Sequence, residues 1–100
     1  MILKEVYAVL QQHHFVVSQY DFSRRWLGKS RSYLSSSKAR QRTPSLDALE
    51  TLGTRLNSFV ALYAKYALPS EKPTCDQLSQ LRERVWEEAF ARQSALDVQN

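Results

Sequence analysis

Residues 18–35, which read SQYDFSRRWLGKSRSYLS, decide the fold that this sequence predicts. Ser18 is a favourable N-cap, because its hydroxyl can accept a hydrogen bond from an amide that the start of a helix leaves unpaired. Phe22 and Trp26 are then one helical turn apart, so both can face inward. Gly28 follows and can supply the positive φ with which many helices end. We therefore expect one helix that starts at Ser18 and stops just before the glycine.

A second, short helix is expected immediately afterwards, over residues 30–39. Tyr33 and Leu34 are its main apolar residues, and the rest is mostly serine with basic side chains. A helix of this length with so little apolar surface is not stable alone, so its neighbours must hold it while its polar side faces outward. A loop follows up to Pro44, because the residue before a proline disfavours the α conformation.

The remaining sequence indicates further helices and no strand, since apolar residues recur every three to four positions and never alternate. These helices cover residues 2–12, 44–68 and 75–95, and the pattern leaves open whether the second is broken at residues 57–58. Thr74 and Gln77 fit a capping box at the start of the last helix. We expect one all-α domain of five to six helices, organised as residues 1–68, a short linker over 69–74 and a long C-terminal helix over 75–96.

Basic residues are concentrated in the middle of the chain. Seven of the 14 lysines and arginines lie between residues 22 and 46, where there is no acidic residue. Residues 68–100 carry four basic and six acidic residues instead, and the whole chain has a formal charge of +4. A basic segment on a nearly neutral remainder is typical of a surface that binds a phosphate backbone, although a solvated polar face gives the same pattern.

Composition excludes several classes of protein. The chain has 100 residues, enough for one domain, and its longest apolar run, residues 59–62, is far too short to span a membrane. The N-terminus lacks the pattern of a signal peptide, so we expect a cytoplasmic protein. The single cysteine, Cys75, rules out an internal disulfide and a cysteine-based zinc site.

No catalytic arrangement is apparent. His13 and His14 are adjacent, so they diverge on a helix, and no other ligand stands at a suitable spacing. Cys75 has no evident partner base, and the glutamates of the C-terminal helix suit an exposed helix face. We expect neither an enzyme nor a cofactor or metal ion.

Several short segments in register resemble the lambda-repressor-like, Cro/Xre-type helix-turn-helix family of DNA-binding proteins. Ser18-Gln19 stands where that family opens its second helix, and GKSRSY at residues 28–33 matches its Gly-x-Ser-x-x-Tyr turn. A basic loop and PSLDAL at residues 44–49 follow at the usual distance. The resemblance covers residues 17–56, with one residue more than usual before the glycine. It implies a helix-turn-helix domain that presents residues 30–39 to DNA.

By position, the resemblance implies roles for individual side chains. The base-contact candidates are Ser30, Arg31, Ser32 and Ser36. The phosphate-contact candidates are Gln19, Lys29, Lys38, Arg40 and Arg42. Arg31 is the strongest of the first set, because a guanidinium matches the O6 and N7 acceptors of guanine. Gln19, at the start of a helix, would hold a phosphate.

A domain of this family is complete by about residue 68, so the helix over 75–96 has two possible roles. It caps the core, or it pairs with a second copy of the chain to form a homodimer, which would suit DNA half-sites about one helical turn apart. The candidates for that dimer interface are Leu78, Leu81, Val85, Trp86 and Phe90.

These observations together predict a sequence-specific transcriptional regulator that binds double-stranded DNA as a dimer and has no membrane partner. Two alternatives remain open. One is a protein-binding adaptor or anti-activator that uses the same fold on a protein partner. The other is an antitoxin-like protein that binds DNA and also masks a toxin.

Overall fold

The computed structural model describes residues 2–39 and 43–99, and these ranges form five α-helices and no β-strand. The helices are α1 (Ile2–Gln12), α2 (Gln19–Asp21), α3 (Tyr33–Ala39), α4 (Leu46–Tyr66) and α5 (Lys72–Gln99). A π-helical turn, Phe22–Trp26, continues α2, and a 3₁₀ turn, Pro69–Glu71, precedes α5. The prediction of an all-α fold with a long C-terminal helix is therefore confirmed.

The N-terminal elements follow the sequence closely. α1 has the predicted bounds. Ser18 caps α2, because its hydroxyl accepts a hydrogen bond from the Asp21 amide at 3.1 Å. Ser45 caps α4 in the same way, accepting from the Ala48 amide at 3.2 Å. α4 then continues through residues 57–58 without a break.

The π-helical turn after α2 holds one residue more than an α-helical turn does. The amide of Leu27 donates to the carbonyl oxygen of Phe22, five residues earlier, at 3.3 Å. Because of this wider turn, both Trp26 and Leu27 reach the core, where they are 5% and 0% exposed. Gly28 follows with a φ of 65°, so the predicted glycine stop is confirmed.

α4 and α5 form the frame of the molecule, because they make the most extensive contact between any two helices described. Leu52 and Leu56 of α4 are fully buried, and so are Leu78 and Val85 of α5. Burial of each such side chain stabilises the fold by roughly 1.5–3 kcal/mol. α1 lies against α5 and adds its own apolar stripe to the same core.

Gly53 lets α5 approach α4 closely. A Cβ atom at this position would lie 2.5 Å from Cε2 of Trp86, which no side chain tolerates without movement. The Trp86 indole N–H also donates to Oδ1 of Asn57 at 3.2 Å, one turn further along α4. The Trp86 indole therefore packs closely on α4 and is also hydrogen-bonded to it, and this close packing requires glycine at position 53.

α5 begins earlier than the sequence predicts. It starts at Lys72 because Pro73 falls in the first turn, where the missing N–H has no intrahelical partner to lose. Most of the predicted linker over 69–74 is helical, and Thr74 lies inside α5 rather than at its cap. The predicted capping box is therefore wrong.

α5 is part of the core, which corrects the predicted dimer interface. Leu78, Leu81 and Val85 are 0%, 6% and 0% exposed within the single chain, so they cannot contact a second copy. Of the two roles predicted for this helix, packing on the core is the one that these burials support, since α5 covers the apolar side of α4. Trp86 is partly buried against α4, whereas Phe90 is 68% exposed.

Candidate nucleic-acid interface

The turn between α2 and α3 is held from beneath by Ser23, whose side chain is fully buried. Its Oγ accepts a hydrogen bond from the Leu34 amide at 3.1 Å, in the first turn of α3. Its carbonyl oxygen accepts another from the Lys29 amide at 2.9 Å. One residue therefore satisfies an amide at the start of α3 and fixes the chain just after Gly28. Sequence analysis missed Ser23, because no periodic signal marks it.

α3 begins later than the sequence predicts. Ser30 does not open the helix: its carbonyl oxygen accepts a hydrogen bond from the Tyr33 amide at 3.1 Å, which closes a turn first. The carbonyl oxygen of Ser32 then accepts from the Ser36 amide at 2.8 Å and starts the helical pattern. Residues 30–32 are thus an exposed turn in front of a seven-residue helix.

Two side-chain contacts join α3 to its neighbours. The Tyr33 hydroxyl accepts a hydrogen bond from the Ser45 amide at 3.2 Å, which links α3 to the start of α4. The Ser35 hydroxyl donates to Oε1 of Gln19 at 3.0 Å, which links α3 to the first residue of α2. With Leu34 facing the core, α3 turns its serine-rich side outward.

All four predicted base-contact residues are exposed. Ser30, Arg31 and Ser32 lie on the turn, and together with Tyr20 of α2 they line a shallow cleft. Ser36 lies on α3. Within the part of the chain that the structure describes, the Arg31 guanidinium has no hydrogen-bond or ion-pair partner. The exposed turn therefore presents one free guanidinium between two serine hydroxyl groups, and α3 adds a third at Ser36.

A second cleft adjoins the first and brings four arginines together. This arginine cleft is lined by Tyr20, Asp21, Arg24, Arg25, Arg31 and Arg55. The carboxylate of Asp21 is already engaged, since it accepts from the Val17 amide at 3.0 Å and lies 3.3 Å from Arg25. Arg24 and Arg55, like Arg31, have no partner among the described residues. Grouped positive charge of this kind attracts anions.

Sequence analysis missed Arg55 and Tyr20 as parts of this surface. Arg55 lies on α4, outside the basic central segment, and reaches the cleft only because α4 packs against the π-helical turn. Tyr20 is 58% exposed, so its ring forms part of this surface. Neither position carries a sequence signal, because both depend on contacts between distant segments.

The predicted phosphate-contact residues differ in availability. Gln19 and Lys38 are half-buried, and Lys38 has no partner in the described ranges. Lys29 instead pairs with Asp47 of α4. That hydrogen bond raises the pKa of the Lys29 amine, although partial burial acts in the opposite direction. Lys29 therefore joins the turn to α4 in this structure, and its role as a phosphate contact stays a prediction. The predicted contacts Arg40 and Arg42 lie outside the described residues.

Residues 3–99 match a family of proteins described as a family of unknown function, DUF6626. The chain belongs to the DUF6626 family. The match extends over all five helices, so the segments that form the exposed turn and the arginine cleft belong to the DUF6626 domain. No curated protein and no solved structure matches the chain.

The DUF6626 chain gathers no metal-binding cluster in residues 2–39 and 43–99, where no three histidine, cysteine, aspartate or glutamate side chains are suitably placed. His13 lies beside Gln77 of α5, with 3.4 Å between Nε2 and Oε1. Cys75 is a free, half-buried cysteine. Among the helices described, none combines the length and the apolar character needed to cross a membrane.

Proposed function

We propose that this DUF6626 chain binds double-stranded DNA sequence-specifically and regulates transcription. The turn at residues 30–32, the outer side of α3 and the arginine cleft would lie against the duplex. The observation that carries the proposal is the position of Arg31. Its unpartnered guanidinium stands on an exposed turn that Ser23 holds in place, beside a cluster of further arginines. A guanidinium in the major groove can make a bidentate contact with guanine.

The local arrangement supports a helix-turn-helix motif. α2, the turn at Gly28 and α3 follow one another in the order that the Cro/Xre-type resemblance implies. The π-helical turn accounts for the one additional residue before the glycine, because such a turn accommodates an insertion within a helix. In this arrangement Ser30, Arg31, Ser32 and Ser36 are the base-contact set, and Arg31 supplies most of the discrimination between bases.

Phosphate contacts would come from both sides of this set. The Gln19 side chain has its oxygen engaged by Ser35, which leaves its NH₂ group to donate to a phosphate oxygen. Arg24 and Lys38 are free cations in the described ranges and would flank the groove. Arg40 and Arg42 belong to the proposed set on the sequence resemblance alone. These charges favour association through counterion release.

The proposal includes a homodimer on a palindromic site. Of the residues predicted for the dimer interface, Phe90 remains on the surface, with 68% of its area exposed. Its ring lies 6.2 Å from that of Trp86, measured between centroids, so two aromatic rings stand together on α5. Aromatic side chains of this kind are enriched at protein interfaces.

The decisive experiment selects bound sequences from a random duplex pool with the full chain and then measures affinity by gel shift at two salt concentrations. We expect Arg31→Ala to weaken binding to the selected site by about 1–3 kcal/mol and to relax one base position. The logarithm of affinity should fall with the logarithm of salt concentration, by about 0.9 per phosphate neutralised.

Arg82→Ala is the matched control, because Arg82 lies on α5, outside both clefts, and the substitution removes the same charge. It should leave the selected site and its affinity nearly unchanged. The mass of the complex by sedimentation tests the dimer, with two chains expected on each site. If no sequence is enriched, or if Arg31→Ala and Arg82→Ala behave alike, the proposal of sequence-specific DNA binding fails. A protein partner for the same face would then be the alternative to pursue.

A further inference from the structure

A third cleft, of about 470 Å³, lies between the π-helical turn and α4. Its volume falls within the range of small-molecule sites, roughly 300–1,000 Å³. Arg25 and Arg55 supply positive charge to it, and Thr54 and Ser58 add two hydroxyl groups. The rest of its lining is apolar and comes from Trp26, Phe59 and Leu62. We call it the tryptophan cleft.

The apolar wall of the tryptophan cleft is built from fixed aromatic rings. Trp26 and Phe59 meet edge to face, with their centroids 5.3 Å apart. Phe59 also packs edge to face against Phe15 at 4.9 Å, which holds the ring from the other side. Leu62 is 59% exposed and extends this wall toward solvent. The two rings of the wall are therefore packed against other aromatic side chains, and the wall is accessible at Leu62, which suits a flat apolar group.

Trp26 adds an observation of a different kind. It is only 5% exposed, yet its indole N–H has no hydrogen-bond partner among the described residues. A buried donor without an acceptor is uncommon, because leaving it unpaired is costly. The other tryptophan, Trp86, does have an acceptor in Asn57. Trp26, whose indole carries this unsatisfied donor, thus lines the same cleft as the two arginines.

The charge of the cleft favours a monoanion. The Arg25 guanidinium already forms an ion pair with the carboxylate of Asp21 at 3.3 Å, whereas Arg55 has no partner within the described ranges. About one positive charge is therefore uncompensated. A guanidinium pairs well with a carboxylate, which offers two oxygens in the matching geometry.

We propose that the tryptophan cleft binds a small aromatic carboxylate. The carboxylate pairs with Arg55, with Arg25 beside it, and the ring system lies against Trp26, Phe59 and Leu62. This site does not depend on the proposed DNA binding. Arg25 and Arg55 also line the arginine cleft, so a bound carboxylate would reduce the positive charge beside the proposed DNA-binding face.

The test is a titration of the ¹⁵N-labelled full chain with 2-naphthoate, followed through the two indole N–H signals. Trp86→Phe removes one signal and so assigns the other to Trp26. We expect a saturable shift of the Trp26 signal, while the Trp86 signal stays nearly constant and serves as an internal reference. The neutral analogue 2-naphthylmethanol, which keeps the ring and lacks the charge, should bind at least about tenfold more weakly.

Arg55→Gln tests the charge directly, and Arg24→Gln is its matched control. Arg55→Gln should weaken 2-naphthoate binding about tenfold or more, because it removes a charge-assisted pair. Arg24 lines the arginine cleft but not the tryptophan cleft, so Arg24→Gln should change the affinity by less than about twofold. Both residues lack partners in the described ranges, so both variants should fold, which thermal unfolding checks. No selective shift at Trp26, equal binding of the neutral analogue, or no effect of Arg55→Gln would each overturn the proposal.

Discussion

The α2–α3 region and the α4–α5 pair are held together in different ways. α4 and α5 join through buried leucine and valine side chains and through the fit of Trp86 on Gly53. α3 contributes Leu34 to the core and is otherwise held by a few hydrogen bonds, above all those of Ser23, Gln19 and Tyr33. The α4–α5 contact buries apolar surface contributed by many residues. The turn between α2 and α3 is polar, and individual hydrogen bonds fix its position. Destabilising the α4–α5 pair should therefore unfold the whole domain cooperatively. Destabilising the turn between α2 and α3 should only increase local opening there.

The largest effect is expected from Leu78→Ala, which leaves a cavity in the core where α5 packs. Leu78 is fully buried on α5, so the substitution should lower the free energy of unfolding by about 2–5 kcal/mol, measured by urea denaturation. Gln80→Ala on the exposed side of α5 is the control and should change stability by no more than about 0.5 kcal/mol. A loss below about 1 kcal/mol for Leu78→Ala would show that α5 is not part of the core.

An intermediate effect is expected from Ser23→Ala, which removes the hydroxyl that holds the turn between α2 and α3. The substitution leaves the buried Leu34 amide without its acceptor and should cost about 1–3 kcal/mol. Amide exchange should accelerate in α3 more than in α4, because the lost contact acts on α3 alone. Ser36→Ala, at an exposed position, should change neither quantity appreciably. Equal acceleration in both helices would contradict local control by Ser23.

The smallest effect is expected at the Lys29–Asp47 pair, which joins the two regions. The folded-state pKa of Lys29 is raised, so the pair stabilises the fold fully below the unfolded lysine pKa of about 10.4 and less as pH rises through the higher folded value. Because Asp47 is largely exposed, the contribution at neutral pH should not exceed about 1 kcal/mol. Lys29→Met should flatten the loss of stability above pH 10.

Lys38→Met is the control for this measurement, because Lys38 has no acidic partner among the residues described. Tyr63 complicates the wild-type curve, since a hydrogen bond to Glu71 raises its pKa and its stabilising contribution is also lost at high pH. The comparison must therefore be made between variants, all of which retain Tyr63. If Lys29→Met and Lys38→Met give the same curve, the pair contributes nothing to stability.

The contrast between the two regions also explains what the sequence could predict. The recurrence of apolar residues every three to four positions is sufficient to locate α1, α4 and most of α5, because burial imposes that period on a helix. It could not tell whether Leu78 faces the chain's own core or a second copy, since both environments select the same side chains. The sequence predicts too late a start for α5, because a proline usually ends a helix. Pro73 instead lies in the first turn of α5, where proline is tolerated.

The polar region was predicted less completely, for a physical reason. The polar side of the expected short helix and the Cro/Xre-type resemblance both predict that Ser30, Arg31 and Ser32 are exposed, and they are. The contacts of Ser23 with Leu34 and of Lys29 with Asp47 join positions that are distant along the chain and have no periodic relation. The arginine cleft likewise needs Arg55 from another helix. Such pairings appear only when the helices are packed.

The wide turn at residues 22–26 has a consequence for how members of the family are compared. A helix that absorbs an insertion in this way keeps both of its ends where they were, so the cap at Ser18 and the glycine at position 28 need not move. Two chains that differ by one residue here could share the same surroundings in space. An alignment would then show a gap at a place where the folded proteins superpose.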